Sequence, residues 1–207
     1  MGNKLSILNK HFENNFWLYT ITIFCWFLGI MLGIFSVKYM GINEKKQLSD
    51  YLINFTNSYQ LGEINKFEIL LQAAKNNLPL ILLIWFLGLT IIGAPIILIL
   101  NIIKGYVFGF SISFIVKGLG AKGLEISILC VLLQNVVYIT CFIIVSVIAM
   151  EFSFNFIKNS NYKRISNGIL IHILSYSFCF LLISFVLTFG FLFEAYVAPF
   201  FIKILVK

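Results

Sequence analysis

Apolar residues in this chain come in long blocks, and the charges fall between them. Uncharged runs cover 17–37, 78–103, 105–116, 126–150 and 168–193. A bilayer core takes about 20 apolar residues per helix. The first, fourth and last runs therefore each predict one membrane-spanning helix. The stretch 78–116 carries a single charge, Lys104, and is too long for one span. It is broken by Gly88, Gly93-Ala94-Pro95, Lys104-Gly105 and Gly109. It holds either two passes or one pass and a re-entrant piece. Proline favours the first turn of a helix, so a new helix is expected at Pro95. The reading is all-α: one integral membrane domain with five spans at 17–37, 76–93, 95–117, 126–150 and 168–193.

The segments between the spans are polar. The largest, 38–77, carries five lysines and four acids. Within it Phe67, Leu70, Leu71 and Ala74 share one helical face, away from Glu68, Gln72 and Lys75. This predicts an amphipathic interfacial helix running into the second span. The connection 151–167 is basic through Lys158, Lys163 and Arg164. The tail 194–207 is too short to span and is expected at the interface. The first run has no small-residue cleavage site after it and reads as a retained helix, not a leader. The positive-inside rule does not favour a cytoplasmic N terminus, because the far side would then collect the five lysines of 38–77 with Lys117, Lys122, Lys203 and Lys207.

Composition supports the membrane class. The chain is 60% hydrophobic and 11% charged, and its mean hydropathy is +0.99. No soluble domain of 207 residues could cover that much apolar surface. The net charge of +7 is spread along the chain with no basic–aromatic cluster, so no nucleic-acid partner is implied. The lipid bilayer is. Cys25, Cys130, Cys141 and Cys179 all sit in apolar runs and read as small buried hydrophobes, not as a disulfide or metal set.

Enzyme chemistry is not visible. The chain has no HExxH, GxSxG or P-loop and no carboxylate pair at working spacing, so no cofactor or catalytic residue is assigned. Polar residues at or inside the spans are the candidates, because burying them is costly. They are Lys104, Glu125, Gln134, Asn135 and Glu151. Bonding between helices would make them packing residues. A path lined by them would make the chain a small transporter or channel subunit. Gly29/Gly33 and Gly105/Gly109 form two GxxxG patterns. Each lets another helix approach closely, either within the chain or across a homodimer. Tyr51, Phe55 and Tyr59 recur at four-residue spacing on one helical face and are read as a partner-contact patch or as headgroup anchors.

Asn76-Asn77-Leu78, Gly88, Gly93, Lys104-Gly105 and Gly109, followed by Leu133-Gln134-Asn135, resemble the pattern of the stage II sporulation protein M family. The plan is similar too: about 200 residues, with one span, a loop and then a packed block of spans. Two departures stand out. Leu133 replaces an expected proline, and Lys122-Gly123-Leu124-Glu125 replaces the wider family's HG…E. The resemblance implies a non-catalytic membrane scaffold of the endospore engulfment machinery. It would recruit two cell-wall hydrolases, stage II sporulation proteins D and P, to the mother-cell septal and engulfing membrane. It also implies a cytoplasmic N terminus, which would turn 38–77 towards the wall.

Overall fold

The computed structural model describes residues 12–50, 66–90, 92–158 and 166–205. Five long helices make up the bundle: α1 (Phe16–Tyr39), α2 (Lys66–Gly88), α3 (Gly93–Ile126), α4 (Leu133–Lys158) and α5 (Ser166–Leu205). Each contains a stretch long and apolar enough to cross a membrane. No strand occurs among the described residues. The stretch 78–116 resolves into two full passes rather than a re-entrant piece. The turn between them is tight: Thr90 and Leu89 N–H groups bond to Leu87 and Phe86 carbonyls at 2.9 and 3.1 Å. Pro95 falls in the first turn of α3, two residues after the observed start at Gly93.

The side-chain contacts give the directions. Trp85 meets Ser177 and Lys66 meets Tyr196, so α2 and α5 are antiparallel. Asn101 meets Ser146 and Thr90 meets Ser153, so α3 and α4 are antiparallel. Gly29 lies on Ile102 and Gly33 on Tyr106, so α1 and α3 run parallel. The bundle is therefore up-down-up-down-up. The ends of α1 and α3, the starts of α2 and α4, and the end of α5 share one side.

Half of the apolar window of α4 is buried, against 22–33% in the other four. α4 is thus the central helix, with Val145, Ser146, Val147 and Ala149 fully enclosed. Ile84 from α2, Ile97 from α3 and Leu187 from α5 pack around it. Outward faces carry Phe24, Phe27, Leu82, Phe178 and Phe185, the composition expected of surface that meets lipid. Among the described residues α1 packs on α3 and α4 and makes no close approach to α2 or α5.

Several boundaries differ from the sequence reading. The face of α2 turned inward is Leu70, Ala73, Ala74 and Asn77, while Phe67 and Leu71 are exposed. Small alanines at the contact let the helix approach its neighbours, so they displace the larger residues outward. The fourth span is preceded by a π-helical turn, Ser127–Leu132, before α4 proper begins at Leu133. α3 continues past its expected end and breaks at Gly120, whose φ of 60° is open to glycine alone at low cost. The tail 194–207 is helical as far as Leu205, continuous with α5. After α1, residues 42–50 form a further helical segment, whose start is capped by Glu44 reaching back to the Gly41 N–H at 3.3 Å.

Candidate functional site

The two GxxxG motifs face each other. A Cβ on Gly105 would lie 2.5 Å from the Trp26 carbonyl oxygen and 3.3 Å from Gly29 Cα. One on Gly29 would meet the Ile102 carbonyl, one on Gly33 the Tyr106 carbonyl, and one on Gly109 the Ile30 carbonyl. All four glycines are spent on one contact within the chain. Backbone lies on backbone there, which is how helices gain van der Waals contact where lipid supplies no hydrophobic force. The Ser36 and Tyr106 hydroxyls add a bond of 2.8 Å at the far end of the seam.

One turn below the zipper sits Asn101, which the sequence reading does not single out. Its side chain is buried. Trp26 Nε1 of α1 donates to its Oδ1 at 2.8 Å, and its Nδ2 donates to Ser146 Oγ of α4 at 2.9 Å and to the Ile97 carbonyl at 2.7 Å. Ser146 Oγ also lies 3.2 Å from Asn101 Oδ1. One amide thus joins α1, α3 and α4. The available signal is a polar residue in the middle of an uncharged run, costly to bury unless bonded.

Lys104, the next inward-facing position of α3, points to α2. Its Nζ donates to Asn77 Oδ1 at 3.1 Å and to the Asn76 carbonyl at 3.5 Å, and it stands 4.9 Å from the centre of the Phe142 ring. Asn77 in turn donates to the Ala73 carbonyl at 2.9 Å. Lys104 also lies within electrostatic reach of Glu194 on α5, whose Oε2 accepts a 2.7 Å bond from the Tyr138 hydroxyl.

A cavity of about 330 Å³ lies against Lys104 and is lined also by Asn77, Ser111, Asn135, Tyr138 and Phe142. Asn135 donates to the Val131 carbonyl at 2.7 Å, in the π-helical turn. Of the five sequence-selected polar residues, Lys104 and Asn135 come together on this cavity. Glu125 is exposed beyond the Gly120 break. Glu151 is half-buried at the opposite end of the bundle, near Tyr19. The side chain of Gln134 is outside the described structure, as are residues Tyr51, Phe55 and Tyr59. The cysteines Cys25 and Cys141 are buried and Cys179 is partly so. Among the described residues no cluster of His, Cys, Asp or Glu is placed to hold a metal.

Parallel docking through glycines, a buried amide hub and five apolar passes define a multi-pass helical membrane protein built for internal packing. The family model for stage II sporulation protein M matches residues 7–199. The chain belongs to that family, which makes it a sporulation-related membrane protein. No match was found among curated proteins or among solved structures.

Proposed function

We propose that this protein is a non-catalytic scaffold of the engulfment machinery. It sits in the mother-cell septal and engulfing membrane and recruits the hydrolases stage II sporulation proteins D and P. The observation that carries this reading is the family match across 7–199. The bundle supports it physically. Buried polar contacts join α1, α3 and α4 through Asn101, and the glycine seam holds α1 in place, as a platform for partners requires. The platform end where α1 finishes and α2 starts carries Lys45, Lys46, Lys66 and Lys117. With a cytoplasmic N terminus this end faces the wall.

The test is crosslinking of the tagged protein in sporulating cells, followed by purification and mass spectrometry. Both hydrolases should be recovered, with crosslinks at Lys45, Lys46, Lys66 and Lys75 and none at Lys158. Recovery of neither hydrolase would remove the scaffold reading. Crosslinks confined to Lys158 would keep the partners and reverse the orientation.

A further inference from the structure

The outward face of α2 changes character along its length. Its exposed stripe runs through Gln72, Lys75, Asn76 and Pro79 to Leu82 and Phe86. The second half is apolar, as lipid requires. The first half presents two amides and an ammonium. Gln72 and Asn76 lie about 9 and 15 Å along the axis from Lys66, where the span begins, at 1.5 Å per residue. The apolar layer is about 30 Å thick, so this group lies inside it. The next residue, Asn77, meets Lys104, three positions from the Asn101 hub at mid-span.

The other spans do not share this feature. Exposed charges such as Lys38 and Lys117 stand near the ends of α1 and of the span in α3. The outward faces between are built from residues such as Phe27, Ile103 and Phe185. The exposed hydroxyls of Thr20, Thr140 and Thr188 bond to their own helix backbone. Among the described residues neither Gln72 nor Lys75 has a side-chain partner. Lys104 adds a second cation from behind, because its Nζ reaches the Asn76 carbonyl at 3.5 Å. Charged and amide groups are costly against lipid, and in spans they face protein or pair with one another.

We infer that this stripe of α2 docks the spanning helix of a partner protein, and that the docking helix carries a carboxylate. Lys75 meets the carboxylate directly. Gln72 and Asn76 supply amide bonds beside it, and Leu82 and Phe86 supply apolar contact further along. Charge also decides against a second copy of this chain. A two-fold axis along the membrane normal would set Lys75 against Lys75 and exposed Glu68 against Glu68. The inference does not rest on the scaffold reading, because it concerns the chemistry of the docking helix and not the identity of its owner.

The test uses the full-length protein in phosphatidylcholine vesicles, with a photo-crosslinking side chain in place of Leu71 on α2 or Phe185 on α5. The probe is a synthetic spanning helix of leucines with one glutamate at its centre. Control helices carry leucine or lysine there. At Leu71 the glutamate helix should be captured about tenfold more than the leucine helix, as expected for a charge-assisted bond. The lysine helix should be captured least. At Phe185 the three should not differ. Lys75→Gln should lower capture of the glutamate helix about tenfold, while Lys38→Gln should match the parent. Lys75 is exposed, so its variant tests docking without loss of the fold. Equal capture of the glutamate and leucine helices at Leu71 overturns the inference, as does full capture in Lys75→Gln or the same preference at Phe185. Crosslinks from Leu71 to a second copy of the chain in place of the probe also overturn it and mark a dimer face.

Discussion

Asn101 carries three helices on one amide, and its removal should be felt by all of them. Asn101→Leu keeps the volume but strands Trp26 Nε1 and Ser146 Oγ. Leaving buried donors without partners costs about 1–3 kcal/mol. Unfolding in mixed micelles by added SDS should show a loss of that size, and a loss below about 0.5 kcal/mol, the level of a neutral surface change, would mean that water or a neighbour replaces the amide. Lys104 and Asn135 are legible as candidates because a charge and an amide interrupt apolar runs. Asn101 interrupts a run in the same way, yet its partners lie 75 and 45 positions away. Spacing along the chain cannot reveal them. For the same reason Glu125 and Glu151 read as members of one set with Lys104, and only the folded bundle separates them.

Between elements the decisive contact is the α1–α3 seam. Two GxxxG motifs are visible in any reading, but each could serve a partner chain or another helix of its own chain. Here they occupy each other in parallel register. Gly105→Ala puts a methyl carbon 2.5 Å from the Trp26 carbonyl, where backbone would have to move. Overpacking of this kind costs about 1–3 kcal/mol. Gly41→Ala, which would have only the Glu44 side chain near it at 3.8 Å, should change stability by less than about 0.5 kcal/mol. The same SDS unfolding measurement on both variants checks the contrast. Equal effects would mean that α1 is held by its side chains and not by the glycine seam.

For the molecule as a whole, α1 belongs to the bundle through α3 and α4, not through its chain neighbour α2. The segment linking α1 and α2 therefore joins two helices that do not pack together. Replacing Tyr51, Phe55 and Tyr59 together with Ala should lower hydrolase recovery in the crosslinking experiment severalfold while membrane insertion stays normal. Recovery at the parent level would remove that patch as the contact. The sequence plan of one span, a linking segment and a block of spans thus corresponds to a helix, α1, seamed through α3 onto the other four.

The solvent and the element type follow from the order of residues along the chain. Runs of about 20 apolar residues can satisfy their backbone in lipid only as helices, so the apolar blocks specify helical passes, while the fold decides that 78–116 makes two of them. The polar interruptions and the paired glycines are equally plain there, because both break a simple pattern. Packing in three dimensions is what settles which glycines meet, that Asn101 is the hub, that Lys104 answers Asn77, and that α4 lies at the centre. Those outcomes depend on how helices rotate about their own axes and in which order they pack. In lipid the outside is as apolar as the inside, so hydrophobic periodicity, which orients helices in water, carries little of that information here.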